Sequence, residues 1–354
     1  MSKLFSPLKI RDIEFKNRIA VSPMGQHSSE NGLPTDWHLV HLGSRAVGGS
    51  ALIIAEATAV SPEGRISPPD DAGIWNEEQV NAYKKITSFI KEQNCVAGIQ
   101  IAHAGRKAST YSPWKGNGYV QPKDGGWITL APSAIPFSEH YSTPKEMSVA
   151  DIENVVEQFR SAAERSVRAG FEVIEIHMAH GYLIHEFLSP LSNHRNDKYG
   201  GSFENRSRLA FQVAKAVRQT VSQSLPVFVR ISATDWIEDA WDVEQSVQLA
   251  IQFKEIGIDL IDCSSGGNAA KASIPVGPGF QVQFSEKIRK EAGILTGAVG
   301  MITTADQAES ILSDGRADLI ILGRELLRDP YWPLHAAKEL KTEVEWPKQY
   351  SRAK

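Results

Sequence analysis

The feature that most constrains this chain is an alternation. Eight short apolar, β-branched runs recur along it, at residues 18–24, 51–57, 96–102, 172–177, 226–231, 258–263, 293–298 and 317–322. A helical stretch or a long loop follows each one. Parallel strands can be joined only through crossovers, so the pattern predicts a parallel sheet with helices outside it. Near-continuous runs such as ALIIAEA and ADLIIL suit strands buried on both faces. Eight repeats favour an α/β fold closed into a (β/α)8 TIM barrel over an open doubly wound sheet. An open sheet more often carries a G-x-G-x-x-G fingerprint after its first strand. Here that strand runs into Ser22-Pro23-Met24-Gly25 instead.

The helical stretches support the same reading. Ile152, Val155, Val156, Phe159, Ala162, Ala163 and Val167 follow helical spacing. Ser148 opens that stretch as an N-cap with Asp151 three residues on, and Gly170 fits its stop. Val243, Val247, Ala250 and Ile251 mark a second helix, closed by Gly257. Residues 8–15, with Arg11-Asp12 at their centre, read as a hairpin capping the barrel bottom. The loop at 109–136, after the third strand, is rich in Gly, Pro and Trp, and loops of that length are usually lids or binding segments. No domain boundary or low-complexity tract interrupts residues 1–354, which read as one domain.

Composition removes whole classes of function. With 38 basic and 42 acidic residues, a net charge of -4 gives no electrostatic footprint for nucleic acid or an anionic membrane. No apolar run reaches transmembrane length, and the opening MSKLFSPLKI lacks the apolar core of a signal peptide, so the expected location is the cytoplasm. Cys95 and Cys263 are too few for a disulfide framework, an all-cysteine zinc site or an all-cysteine iron–sulfur cluster.

In a barrel, chemistry gathers where strands end at the C-terminal face. The fourth strand ends in His177, with His180 and Tyr182 just beyond. Three readings compete there. The two histidines fix loop geometry, or they join His185, Glu186 and His194 around a metal, or their N–H groups converge on a carbonyl oxygen with Tyr182 as proton donor. The metal reading lacks the H-E-x-x-H helix signature. The first and third stand level on spacing alone. The third strand carries Gln100 and leads to Lys107. The fifth carries Arg230, which is expensive to bury without an anionic or electron-rich partner; a neighbouring carboxylate such as Glu175 is the plain alternative. The seventh and eighth strands end in Thr296-Gly297-Ala298-Val299-Gly300 and Gly323-Arg324, glycine turns with an added cation that suit a phosphate.

At these residues the chain resembles the old yellow enzyme family, in its classical-fold bacterial subgroup of ene-reductases. The stretches NRIAVSPM, EATAVSPEGRI, GIQIAHAGRKA, HGYLIHEFLSPLSNHRNDKYGGSFENR, IDCSSG and GRADLIILGRELLRDP carry the likeness from Leu4 to Arg352. The resemblance implies a bound FMN across the top of the barrel. Ser22, Pro23, Met24 and Gly25 would line it, Ala57 and Gln100 would contact its pyrimidine side, and Arg230 would sit by N1/O2. Gly300, Gly323 and Arg324 would hold the phosphate, with the Lys107 loop closing over the same side. NADPH would reduce the flavin and leave. A small activated alkene would then be held through its carbonyl by His177 and His180, take hydride at its β-carbon and be protonated at the α-carbon by Tyr182. His27 and Lys107 would also line the substrate site, and Arg352 would enter it from a neighbouring protomer of a homodimer or homotetramer. No metal is implied. Two departures stand out: many members carry cysteine where this chain has Gly25, and tyrosine where it has His27. The departure at Gly25 predicts a wider pocket and a shifted flavin potential. Two other classes remain. A phosphate-binding barrel lyase or isomerase would need a catalytic lysine or metal carboxylates at strand ends, which are sparse here. A binding protein on a barrel scaffold would be colourless and redox-inert.

Overall fold

The computed structural model describes residues 2–354. A two-stranded hairpin, β1 (Leu8–Ile10) and β2 (Ile13–Phe15), precedes the barrel. The barrel strands are β3 (Ile19–Val21), β4 (Leu52–Ala59), β5 (Val96–Ala102), β8 (Val173–Met178), β9 (Val227–Ser232), β10 (Leu260–Ser264), β11 (Leu295–Ala298) and β12 (Leu319–Leu322), closed in that order with β12 against β3. The strands β6 (Leu130–Ala131) and β7 (Lys145–Glu146) pair within the long excursion after β5. Every barrel pairing is parallel, so the expected (β/α)8 architecture is present.

Local chemistry accounts for the outer helices. In Val149–Arg168, Ser148 Oγ accepts from Asp151 N at 3.1 Å and Asp151 Oδ2 accepts from Ser148 N at 2.9 Å, a reciprocal cap. Val243–Ile256 stops at Gly257, whose φ of +95° only glycine adopts without strain. Ile251 does not join that helix's buried face; it is 40% exposed, while Phe253 and Leu249 fill the core. The first apolar run is also shorter than its pattern. Only three residues form β3, because the chain beyond Val21 leaves the ladder to run across the barrel mouth.

Inward-facing residues change character with height. The lower interior is apolar: Ala20, Leu52, Val96, Val173, Phe228, Leu260 and Leu319 pack together, with Ile10 and Phe15 of the hairpin plugging them from below. Arg11 locks that plug, donating from Nε to Asp259 Oδ1 at 2.7 Å and from Nη2 to Gly257 O at 2.9 Å. One turn of the pleat higher, Gln100, Glu175, Arg230 and Asp262 are polar and buried. No helix among the described residues is long and apolar enough to cross a membrane.

Candidate active site

The upper polar layer leads to the mouth. His177 ends the run in β8 and is buried, 4% exposed. The peptide N–H of Ala179 donates to its Nδ1 at 3.2 Å. Burial, then the charges of Arg230, His185 and Lys107, hold its pKa well below the ordinary histidine value, so the ring is neutral. A neutral ring with Nδ1 accepting carries its proton on Nε2. His177 therefore fixes the loop through Nδ1 and leaves its Nε2–H unspent.

His180 adopts a left-handed backbone, φ +61°, that turns the chain over the mouth. Its N–H donates to Ser232 Oγ at 2.9 Å, and its Nε2 stands 2.7 Å from Ser264 Oγ. Its ring meets that of His177 edge to face at 5.1 Å, and Tyr182 meets His177 in the same way at 5.0 Å. Burial, with the charges of Asp71 and Tyr141, raises the Tyr182 pKa, so the phenol keeps its proton. The three residues of the H-M-A-H-G-Y stretch are thus brought to one spot.

Lys107 joins them in an unexpected way. Its Nζ donates to His180 O at 2.8 Å and to Gly267 O at 3.0 Å, and lies 5.1 Å from the Tyr182 ring centre. Burial lowers its pKa to about 8. The expectation that its loop closes over the phosphate side is corrected here. That loop follows β5, which lies across the barrel from β11 and three strands away from β12, and its lysine packs on the His180 turn instead.

On the opposite rim, Ser22 Oγ accepts from Arg230 Nη1 at 3.0 Å. The carboxylate paired with Arg230 is Asp262, with Oδ2 3.2 Å from Nε, and Glu175 shares the layer without a direct ion pair. Glu175 instead accepts from Gln100 Nε2 at 2.8 Å. Pro23 and Met24 are half-buried and Gly25 is exposed. A Cβ on Gly25 would meet His27 Nε2 at 3.4 Å and Glu56 Oε2 at 3.9 Å, so the position has room for a side chain. A register shift between Ala55 and Ala57 makes Ala57 the one partly open residue of β4.

His27 is also left-handed, φ +46°, with Nδ1 2.8 Å from Asp71 Oδ1 and its ring edge-on to Trp114 at 5.7 Å. Burial opposes charge on it, but Asp71, then Glu56 and Asp70, outweigh burial and raise its pKa. Glu56 fastens this rim, accepting from Gln26 N at 2.6 Å and pairing with His38 Nε2 at 2.7 Å. Glu56, Asp71 and Asp262 were missed in the sequence. For Glu56 and Asp262 the signal was available, each being a lone acid inside an apolar strand.

Gly300 (φ +117°) and Gly323 follow adjacent strands β11 and β12, with exposed Arg324 beside Gly323. These residues fit a flavin mononucleotide. Arg230 is buried with a single aligned hydrogen bond, from Nη1 to Ser22 Oγ, so its guanidinium has donors left for an electron-rich edge. A Cβ on Gly323 would meet only Met24 Sδ and Ser22 Cβ, at 3.7 and 3.8 Å, so the backbone there is open to a bound group. His185 and Glu186 belong elsewhere: His185 Nδ1 accepts from Gly181 N at 2.9 Å with Asp235 at its other nitrogen, and Glu186 accepts from Arg106 N at 2.8 Å. Arg352 lies in the exposed turn Lys348–Ala353. The preceding residues 343–349 line a groove with Asn17, Gly49 and Gln93, which precede β3, β4 and β5 at the end of the barrel opposite the mouth.

Comparison with known proteins agrees with this geometry. A model of the NADH:flavin oxidoreductase / NADH oxidase family matches residues 3–343. The chain is 52% identical over 351 residues to an NADPH dehydrogenase of Geobacillus sp. (strain WCH70), covering 99% of this chain and 98% of that protein. It is 50% identical over 352 residues to an NADPH dehydrogenase of Bacillus subtilis (strain 168), with the same coverage. Among solved structures, the old yellow enzyme homologue from Zymomonas mobilis superposes with a TM-score of 0.80 at 27% identity, covering 97% of this chain and 94% of that one.

Proposed function

Because the chain belongs to the NADH:flavin oxidoreductase / NADH oxidase family, we propose that it is an ene-reductase in which His177 and His180 hold the carbonyl of an activated alkene and Tyr182 protonates its α-carbon. At the coarser level the chain is an FMN-dependent NAD(P)H oxidoreductase of the old yellow enzyme family, with NADPH as reductant. When bound, FMN would supply two-electron hydride chemistry between a nicotinamide and an alkene. Ser22, Pro23, Met24, Gly25, Ala57 and Gln100 would hold its ring, Arg230 its N1/O2 edge, and Gly300, Gly323 and Arg324 its phosphate.

The observation that carries the alkene reading is the tautomer of His177. With Nδ1 occupied by the Ala179 N–H, the neutral ring offers Nε2–H to an oxygen in the mouth. A donor aimed at a carbonyl polarises the conjugated alkene and makes its β-carbon electrophilic. Tyr182 holds its proton at neutral pH and packs against the same imidazole, as an α-carbon acid requires. His27 and Lys107 would border the substrate, Lys107 chiefly by holding His180 in its left-handed turn. Arg352 would act in trans. Its tail runs at the far end of its own barrel, so it can serve a mouth only in a neighbouring protomer of a homo-oligomer.

Rapid mixing tests the reading. Anaerobic NADPH should bleach the flavin bands, and 2-cyclohexenone or maleimide should restore them. Tyr182→Phe should slow the second phase by about 10²–10⁴-fold, the usual worth of a positioned acid, while leaving the first within about twofold. A Tyr182→Phe protein that is reoxidised at the parent rate would remove Tyr182 from the mechanism.

A further inference from the structure

The barrel interior holds more charge below the mouth than binding a flavin edge requires. One guanidinium faces two carboxyls, and all are buried: Arg230 is 6% exposed, Glu175 and Asp262 0%. Asp262 Oδ2 lies 3.2 Å from Arg230 Nε. Neither Asp262 oxygen has an aligned hydrogen bond, and Glu175 has only the Gln100 amide on Oε1, with Oε2 unpartnered. The groups acting on Glu175 are Gln100 from β5, Arg230 from β9 and Asp262 from β10. Ile54 and Ile321, from β4 and β12, bring only apolar side chains to the interior. A buried carboxylate without a cation is strongly unfavourable, and one guanidinium can offset only one of two.

We propose that Asp262 is the ionised positioning residue for Arg230, that Glu175 beside it is carried as the neutral acid, and that this division sets the reduction potential of the flavin. The inference rests on the reading that Arg230 faces the N1/O2 edge. Burial raises both carboxyls and Arg230 draws both back; Glu175, further repelled by Asp262, reaches about 8. Hydride from NADPH, which leaves as NADP+, carries two electrons and adds one negative charge to the site. That charge is stabilised by whatever positive charge Asp262 and Glu175 leave on Arg230.

Dye-equilibration measurements on the FMN-loaded protein, with infrared spectra of the same variants, test the division. Asp262→Asn should favour reduction at pH 7 by tenfold or more in equilibrium constant, about 30 mV for a two-electron couple. Glu175→Gln should stay within twofold of the parent at pH 7. At pH 9, where the parent's Glu175 ionises, the variant should exceed the parent by fivefold or more. The parent should show a buried carboxylic acid C=O band that Glu175→Gln removes. That band is read on apoprotein as well, so loss of flavin from a variant leaves the test intact. Equal shifts from the two variants at pH 7, or no such band, would overturn the inference. Arg230→Met separates the layers of argument. If it matches the parent in FMN affinity and potential, the reading of Arg230 itself is wrong. If it shifts both while Asp262→Asn shifts nothing, only the present inference is wrong.

Discussion

Two levels of the same barrel interior make a useful contrast. Along β8, Val173 belongs to the apolar floor, Glu175 to the polar layer and His177 to the mouth. Along β9 the same steps give Phe228, Arg230 and Ser232. The strands, their pairing and their burial are alike at each level; only the side chains differ. Below, transfer of apolar surface from water holds the strands together and the hairpin plug keeps water out. Above, every buried polar group must find a partner, and some are left short: Arg230 Nε, Glu175 Oε2 and both Asp262 oxygens. Incomplete pairing costs stability, and it persists where a ligand completes it. The floor is built for the fold and the ceiling for the chemistry.

The largest expected effect breaks the floor alone. Phe228→Ala removes a fully buried ring and should cost about 3–5 kcal/mol in urea-unfolding stability. The fraction that stays folded should keep the parent's flavin spectrum and alkene rate. If the alkene rate falls with stability, the two levels are not separable.

Acid should strain the ceiling. The pKa of His177 lies below its unfolded value of about 6.5. Between those two values the unfolded chain binds a proton that the folded chain refuses, so stability falls as pH drops from 6.5. For this one buried ring the loss grows toward pH 5, at no more than about 1.4 kcal/mol per pH unit. His177→Gln should lose correspondingly less between pH 7 and pH 5; parallel losses in parent and variant would show that the ring is not held neutral.

The smallest effect on the fold falls at Gly25. The space around it accepts a Cβ, so Gly25→Cys should change stability by less than about 0.5 kcal/mol. It should narrow the mouth, slowing β-substituted enones threefold or more relative to unsubstituted ones, and shift the flavin potential. Unchanged selectivity and potential would leave the glycine without a role in the pocket.

Sequence reading reached much of this fold because strands and helices announce themselves locally. The run at 96–102 matches β5 to the residue, and the Ser148 cap and Gly257 stop fall where their chemistry placed them. The histidine and tyrosine clamp was legible for the same reason, its members lying within six residues of sequence. Boundaries slipped where hydrophobic pattern outran hydrogen bonding, as after Val21. Partners slipped where contact spans the chain. Arg230 meets Ser22 across 208 positions, and Gln100 meets Glu175 across 75. Nothing in the local pattern told Asp262 from Glu175 as the neighbour of Arg230.

By itself the sequence determined the eightfold βα alternation, the apolar faces and the residue types available at each strand end, because backbone period and side-chain chemistry are local properties. Only the closed barrel decided which charges share a layer, which nitrogen of His177 keeps its proton and where Lys107 spends its donors. Those depend on the stagger between neighbouring strands and on the low dielectric that closure creates, and neither exists until the sheet meets its own edge.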